Sequence, residues 1–226
     1  MKKLFVFVLT LAMVFGLAAC KEPANIRGEY EGGDPTKATA ASTEPTEAVS
    51  AGRVNANKYT NTFAGITCEL GADWTFKTDE EIRQTNETTL GILGEEYEEL
   101  LKTVTTFTDM YATHSNGTDT VNIIFEKMSG VNRLLTEEKY VEISKDTTKG
   151  ALESAGMTNV TLTVGKDNFA GEEHAYMDVA AEYMGVALYE RMIVLRCGDY
   201  AVVVTACTWN TDTCEAILDN FKAVEK

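Results

Sequence analysis

Two histidines are the side chains of this chain best suited to acid–base or metal chemistry. His174 directly follows Glu172 and Glu173, so one interpretation makes it a general base or a metal ligand assisted by one of these acids. The structural interpretation, an exposed histidine at the end of a strand, needs no partner and is favoured. His114 opens the sequence His-Ser-Asn-Gly, which is typical of a hairpin turn. A hydrolase would require His114 or His174 to meet a nucleophile and an acid in one cleft.

The chain carries none of the short motifs that mark common catalytic or cofactor sites. It lacks a Gly-x-Ser-x-Gly nucleophile elbow, a Walker loop, a Gly-x-Gly-x-x-Gly fingerprint and a His-Glu-x-x-His pair. Its acidic clusters lack the alternating Asp/Asn ligands and the glycine of a calcium loop. Helix starts and solvated faces explain these clusters: Asp79-Glu80-Glu81, Glu95-Glu96-Glu98-Glu99, Glu137-Glu138 and Glu172-Glu173. We therefore predict no catalytic residues, no cofactor and no metal site.

Cysteines offer one candidate disulfide. No Cys-x-x-Cys motif occurs, which argues against a zinc ribbon or a thioredoxin-type site. Cys197 and Cys207 are expected at opposite ends and on opposite faces of one hairpin, so they cannot bridge each other. Cys207 and Cys214 flank the turn from the last strand into the last helix, and a disulfide between them requires that helix to cover the Cys207 face. Free buried thiols are the favoured interpretation, and Cys68 is predicted to lie in the core.

The acidic composition excludes one class of partner. The 226 residues include 20 Lys+Arg and 35 Asp+Glu, which gives a net charge of −15 and a pI near 4.6. Nucleic-acid binding needs clustered basic side chains that displace counterions from phosphates. We therefore expect no nucleic-acid partner, and the same charge disfavours contact between the folded surface and an anionic bilayer.

The first twenty residues have the pattern of an export signal. Lys2-Lys3 precede an uncharged run from Leu4 to Leu17, and its helix of about 21 Å is too short to cross the ~30 Å hydrocarbon core. The sequence Leu-Ala-Ala-Cys that ends at Cys20 resembles the lipobox of bacterial lipoproteins. The resemblance implies that residues 1–19 are a signal peptide and that Cys20 is acylated as the first residue of the mature chain. A soluble secreted protein cut at the same bond is the alternative.

A change of composition separates a linker from one globular domain. Residues 20–56 contain all three prolines and consist mainly of small and polar residues, so we predict a lipidated cysteine followed by a disordered linker. Residues 57–226 contain no proline, and their 14 basic and 29 acidic side chains hold the net charge of −15. A single domain of this size buries a full core without disulfides or metals.

Hydrophobic periodicity predicts the elements that position these side chains. Period-two patterns predict strands at Tyr59–Leu70, Trp74–Thr78, Phe107–Ala112, Val121–Met128, Val160–Val164, Glu173–Met184, Val186–Cys197 and Tyr200–Cys207. Helical patterns predict four helical segments. One begins at Asp79, and a helical stripe follows at Tyr97, Leu100, Leu101 and Val104. Another runs from a Thr136 cap to about Ala155. The last begins at about Asp212 and carries on one face Cys214, Ile217, Leu218, Phe221 and Val224. Strands thus make up most of the predicted domain.

The last predicted hairpin indicates how many layers the domain has. With Gly198-Asp199 as a two-residue turn, Cys197 pairs with Tyr200. One face then holds Ile193, Leu195, Val202 and Val204, and the other holds Met192, Val194, Ala201 and Val203. An antiparallel sheet with one wet face does not show two apolar faces. We therefore predict an α+β fold in which a mostly antiparallel sheet is covered by helices on both faces.

The domain opens with Tyr59-x-Asn61, Gly65-Ile66 and Trp74-x-Phe76, followed by the acidic helix start at Asp79. This pattern resembles clostridial-type bacterial lipoproteins of unassigned activity, and the order of elements resembles the PsbP-like fold. The resemblance implies a PsbP-like α/β/α sandwich with Trp74 and Phe76 in the core, and it carries over no catalytic residue. The better-known PsbP-like proteins bind other proteins, so the resemblance favours interaction over catalysis.

The sequence favours a non-catalytic lipoprotein anchored on the extracytoplasmic face of a membrane, and the clostridial resemblance favours a Gram-positive cell surface. Its expected partners are the membrane, through the lipid on Cys20, and a protein or envelope component. The alternative is a lipoprotein that binds a small ligand or a divalent cation in a pocket between the sheet and a covering helix. Tyr176, Tyr183, Tyr189 and Tyr200 predict either an aromatic binding surface or core packing.

Overall fold

The fold consists mainly of strands. The structure, a computed structural model, describes residues 49–90 and 105–224. The strands are β1 (Arg53–Asn55), β2 (Lys58–Asn61), β3 (Ile66–Glu69), β4 (Trp74–Phe76), β5 (Thr106–His114), β6 (Thr120–Lys127), β7 (Thr158–Phe169), β8 (Glu172–Tyr183), β9 (Val186–Cys197), β10 (Tyr200–Trp209) and β11 (Phe221–Ala223). The helices are α1 (Asp79–Leu90), α2 (Glu137–Ser154) and α3 (Cys214–Leu218), and a 3-10 turn spans Gly130–Leu134.

The strands form two sheets. The larger sheet has the order β4-β5-β6-β10-β9-β8-β7, and the smaller sheet has the order β1-β2-β3-β11. Neighbouring strands in both sheets are antiparallel. These findings confirm the predicted α+β class with a mostly antiparallel sheet. Pairing of β10 with β6 brings the β5-β6 hairpin alongside the β7-β10 meander and makes one continuous large sheet.

The β9-β10 hairpin is buried on both faces, as predicted. Its register is confirmed, with Cys197 opposite Tyr200. One face, which includes Ile193 and Val204, joins a core cluster that also contains residues of the small sheet and α3. The other face, which includes Met192, joins a second cluster beneath α2. Helices therefore lie on opposite faces of the large sheet, and the small sheet shares a layer with α3.

The helix starts follow the signals in the local sequence. Thr136 caps α2, as predicted, by accepting a hydrogen bond from the Lys139 N–H at 3.3 Å, and Gly156 follows the helix with φ +89°. At α1 the Thr78 N–H donates to Glu81 Oε2 at 2.8 Å, and the Glu81 N–H donates to Thr78 Oγ1 at 3.2 Å. This capping box satisfies two backbone donors that an isolated helix start leaves free.

Two predicted elements differ in the structure. The stretch Tyr59–Leu70 contains two strands, because residues 62–65 turn the chain and Gly65 adopts φ +69°. The last helix is shorter than its apolar periodicity predicted: α3 ends at Leu218, and Phe221 begins β11 opposite Cys68. Pairing with β3 satisfies the backbone groups of this segment, so a tertiary contact overrides the local helical pattern.

The fold begins earlier in the chain than composition predicted. Residues 49–56, which the sequence assigned to the linker, belong to the domain: β1 pairs with β2, and Val49, Ala51 and Val54 pack against the core. Several predicted features lie outside the described residues: the signal peptide 1–19, Cys20, linker residues 21–48 and the helical stripe at 97–104.

A buried carboxylate ties this entry segment to the large sheet. Asp109 lies where β5 shifts register against β6, at a bulge between Thr108 and Met110. Its carboxylate accepts hydrogen bonds from the Gly52 N–H at 2.8 Å, from Asn61 Nδ2 at 2.8 Å and from the Tyr59 hydroxyl. Burial raises the pKa of Asp109, and these donors oppose that rise. One side chain thus connects segments of two sheets.

Gly52 lies too close to Tyr59 to accept a larger residue. A Cβ at position 52 would be 2.3 Å from Tyr59 Cε2, and this tyrosine is fully buried. We expect Gly52→Ala to lower the free energy of unfolding by about 1–3 kcal/mol, because the ring or the entry segment must move. Gly150→Ala is the control, since nothing lies within 4 Å of its Cβ position on α2 and alanine favours a helix. Urea unfolding measures the stability of both variants. A Gly52→Ala variant as stable as wild type would contradict the close contact between Gly52 and Tyr59.

A second buried acid lies on the α2 side of the large sheet. Glu190 in β9 is 6% exposed and faces Cys207 across the ladder. Its Oε2 has no hydrogen-bond partner in the described part of the chain. Burial raises the pKa of Glu190 to about 7. The folded protein therefore favours the protonated acid, and ionisation at higher pH works against folding.

The elevated pKa of Glu190 predicts a pH dependence of stability. Between about pH 4.5 and 7 the unfolded chain loses this proton before the folded chain does, so the free energy of unfolding falls as the pH rises. Over that range wild type should lose about 3 kcal/mol relative to Glu190→Gln, which has no proton to lose. Denaturant unfolding at several pH values measures the difference. The exposed Glu172→Gln variant should follow wild type, and parallel curves for wild type and Glu190→Gln would contradict the prediction.

Candidate binding groove

The structure gives His174 a partner that is distant in sequence. Its Nδ1 lies 3.1 Å from both carboxylate oxygens of Glu137, the first residue of α2. The acid that pairs with His174 is thus neither Glu172 nor Glu173. The His174 ring also packs edge-on against Phe169, with 6.3 Å between ring centres. The sequence placed the histidine at the start of a strand correctly, but the favoured interpretation of an exposed histidine without a partner is wrong, because its side chain is only 12% exposed and pairs with Glu137.

Glu137 occupies a gap where two strands separate. β8 and β9 pair from Ala175 opposite Val194 onward, and the pairing stops beyond that point. The Glu137 carboxylate accepts hydrogen bonds from the Ala175 N–H at 3.2 Å and from the Arg196 N–H at 3.0 Å. It replaces the next bonds of the ladder and contacts His174 at the same time. Glu137 and His174 are therefore explained as a structural clamp between α2 and the large sheet.

The second histidine lies elsewhere in the fold. His114 ends β5, where its ring packs against Trp74 at 5.2 Å and its Nδ1 accepts a hydrogen bond from the Asn116 N–H at 3.3 Å. Three strands separate β5 from β8 in the large sheet, so the His114 and His174 rings do not share a cleft. Across residues 49–90 and 105–224, no group of three or more His, Cys, Asp or Glu side chains is arranged to hold a metal ion.

The thiols of the expected disulfide lie on opposite sides of the large sheet. Cys207 belongs to the cluster beneath α2, whereas Cys214 belongs to the cluster that contains α3. Both are free, and the Cys214 thiol lies 3.4 Å from the Tyr189 carbonyl oxygen. The bridge required α3 to cover the Cys207 face, but α3 covers the other face. The candidate disulfide is therefore corrected, and the favoured interpretation of two buried free thiols agrees with the structure. Cys68 is buried in the core as predicted.

A groove of about 440 Å³ opens where α3 and the small sheet end. It lies between the edge strand β11, the C-terminal end of α3, β9 and the turn that joins β7 to β8. Three buried apolar side chains line it: Phe169, Leu218 and Phe221. Three more exposed carboxylates also line it: Asp167, Glu215 and Asp219. The apolar side chains form a buried floor beneath the groove, whose accessible lining is mainly polar, with carboxylates at the rim.

Arg191 lines the groove and is fixed by several partners. Its Nε and Nη2 donate to the two oxygens of Asp178 at 2.7 and 2.9 Å, and its Nη1 donates to Asp167 at 3.2 Å. The guanidinium carbon lies 4.7 Å from the centre of the Tyr176 ring. That ring covers Gly165, where a Cβ would lie 2.7 Å from the tyrosine hydroxyl. The bond to Asp178 raises the pKa of Arg191, so the cation stays charged in this acidic setting.

The four tyrosines divide between surface and core. Tyr176 and Tyr189 are partly buried on the groove side of the large sheet, and Tyr200 joins the aromatic core on that side. Tyr183 packs beneath α2. Sequence reasoning missed Arg191 as a groove residue. The available signal was the pair Glu190-Arg191 within an apolar strand, because adjacent strand residues point to opposite faces.

No family model matches this chain, and no curated protein sequence matches it. Among solved structures, LpqN from Mycobacterium tuberculosis, described as involved in cell envelope biogenesis, aligns with a TM-score of 0.39 and 9% sequence identity. The alignment covers 71% of this chain and 83% of that chain. Among the helices described, none has the length and hydrophobicity needed to cross a membrane.

The Glu137 clamp predicts unequal effects of two neighbouring substitutions. Glu137→Ala removes the acceptor for two backbone N–H groups and for His174, so we expect a loss of about 2–4 kcal/mol in the free energy of unfolding. Glu138→Ala is the matched control, because Glu138 is exposed and contacts Lys166 at the surface. It should stay near wild-type stability. Urea unfolding distinguishes the two, and a stable Glu137→Ala variant would rule out the clamp.

Proposed function

We propose that this chain is a lipid-anchored extracytoplasmic lipoprotein whose folded domain binds a protein or another envelope component through the groove. Its activity is binding rather than catalysis, and its expected location is a Gram-positive cell surface. The opening pattern Tyr59-x-Asn61, Gly65-Ile66 and Trp74-x-Phe76 supports the further proposal that the domain is PsbP-like and related to clostridial-type lipoproteins.

The anchor is supported by the N-terminal sequence. A basic start, an apolar run and Leu-Ala-Ala before Cys20 occur in the order that lipoprotein export requires. Each buried CH₂ of an acyl chain contributes about 0.8 kcal/mol, and two or more chains make membrane binding stable. The segment from Cys20 to Val49 reaches at most about 100 Å when fully extended. The domain therefore works within that distance of the bilayer.

The groove is the observation that carries the binding function. Concave sites in which a few positioned polar groups converge are typical of ligand and peptide recognition. Here Arg191 is fixed by Asp178 and Asp167, and the exposed carboxylates of Glu215 and Asp219 lie at the rim. Because Arg191 is already positioned, a partner meets a preorganised surface and orders few side chains on binding.

The arrangement of the histidines supports binding over catalysis. A general base must reach the proton that it removes. The side chains of His174 and Glu137 are only 12% and 17% exposed, and Glu137 also accepts two backbone hydrogen bonds. Movement of this pair toward a substrate would break contacts that join α2 to the sheet.

Photo-crosslinking in intact cells tests the binding function. A photoreactive amino acid replaces Asn168, which lines the groove, or Lys149, which is exposed on α2 on the opposite face. We expect a discrete adduct from position 168 and none from position 149. The added substitutions Glu215→Lys and Asp219→Lys should abolish that adduct by reversing the charge of the rim. No adduct from position 168, or equal adducts from both positions, would contradict the proposal.

Metabolic labelling with a fatty-acid analogue in the same cells tests the anchor. Wild type should incorporate the label and sediment with the membrane fraction. Cys20→Ser should lose both properties, because the acylated thiol is absent. Cys68→Ser is the control, since that cysteine is buried in the domain, and it should remain labelled. Label retained by Cys20→Ser would overturn the assignment of Cys20.

A further inference from the structure

We propose that the groove holds an extended, basic peptide segment that adds as a strand to the free edge of β11. This inference rests on the proposed binding function and specifies the class of partner and its mode of recognition. Strand addition supplies affinity through backbone hydrogen bonds and selectivity through the side chains that alternate along the added strand.

The edge of β11 presents unused backbone groups to the groove. β11 is the last strand of the small sheet and pairs with β3 on one side. On that side the Asn220 carbonyl accepts from the Glu69 N–H, and the Val224 N–H donates to the Gly65 carbonyl at 2.9 Å. Backbone groups of alternate strand residues point the same way, so the even-numbered residues of this segment face β3.

The intervening residues consequently face away from β3. The N–H and C=O groups of Phe221 and Ala223 point to the open side of the strand, and both residues line the groove. In the part of the chain that the structure describes, no further strand pairs with this edge. Two residues offer two donors and two acceptors, which matches about three residues of an added strand.

The rim selects for positive charge. Asp167, Glu215 and Asp219 line the groove together with the cations Arg191 and Lys222. Arg191 is already bound to two carboxylates, Asp178 and Asp167, so its charge is compensated within the protein without Glu215. The exposed carboxylates of Glu215 and Asp219 remain available to Lys or Arg side chains of a peptide. The net charge of −15 adds long-range attraction for a basic partner.

The free edge of β11 is short. It has no proline, so every backbone N–H of the strand is retained. Lys222 presents its backbone to β3, and the outward-facing groups belong to the exposed Ala223 and the buried Phe221. A short strand and a lysine both limit pairing between unrelated edges, so an added strand must also match the charge of the rim.

The alternation within β11 provides a sharp test. Ala223→Pro removes an N–H that points into the groove and leaves the bonds to β3 intact, since proline is tolerated where its N–H faces solvent at an edge. Ala223→Thr is the matched control, because it adds side-chain bulk and keeps the donor. The probe is a fluorescently labelled, end-blocked hexapeptide of alternating lysine and valine. Its binding to the full chain, purified in detergent from bacterial membranes, is measured by fluorescence anisotropy.

We expect saturable binding that weakens at least tenfold with Ala223→Pro and changes little with Ala223→Thr. Two further peptides carry methyl groups on the backbone nitrogens of either the lysines or the valines. Their affinities for the protein should differ, because only one alternate set of amides faces β11. The double substitution Glu215→Gln and Asp219→Asn should weaken binding about tenfold at low salt, whereas Asp146→Asn on α2 should not. If Ala223→Pro fails to fold, the two methylated peptides still decide the mode of binding.

Two outcomes would overturn the inference. Binding that is insensitive to both methylation patterns and to Ala223→Pro would show attraction of a polycation by charge alone. Absence of peptide binding, together with a specific adduct from position 168 in cells, would reject the basic strand and leave the proposed function intact. Absence of both would reject the inference and the proposed function together.

Discussion

Burial of both faces of the β9-β10 hairpin is the constraint on which this architecture depends. Ile193 and Val204 project to one side, and Met192 and Val194 project to the other. Burying a side chain of this size contributes about 1.5–3 kcal/mol, so leaving either face in water would remove much of the driving force for folding. The large sheet must therefore be covered twice. α2 covers one side, and α3 with the small sheet covers the other.

The two covers are unequal, and this difference creates the groove. α2 has 18 residues and packs mainly against β7, β8 and β9, whereas α3 has five residues and packs mainly against the central strands β9 and β10. The outer strands are consequently less covered on the α3 side. Polar residues occupy that side, as the half-buried Asp178 and Arg191 show, and their mutual ion pair satisfies groups that an apolar cover would have left without partners. The edge of β11 borders the same opening.

Carboxylates join parts of the domain that no backbone ladder connects. Asp109 links the entry segment and the small sheet to a bulge in β5, and Glu137 links α2 to the separated ends of β8 and β9. A carboxylate is suited to such positions because its two oxygens accept several hydrogen bonds at once. At Asp109 the donors oppose the rise in pKa that burial causes. Glu190 differs, because one of its oxygens lacks a partner among the described residues, and its pKa rises to about 7.

The sequence by itself determined the features that depend on neighbouring residues. Turn residues and period-two patterns predicted the β9-β10 register, Thr136 predicted the start of α2, and two apolar faces predicted a sheet covered on both sides. Tertiary structure alone decided which distant groups meet. Glu137 lies 37 positions from His174, and Asp109 lies 57 from Gly52, so no local pattern records either contact. The same holds for β11: its residues fit a helical period, but the open edge of β3 satisfies their backbone groups. The groove arises from that choice, because a longer helix would have left no strand edge beside Arg191.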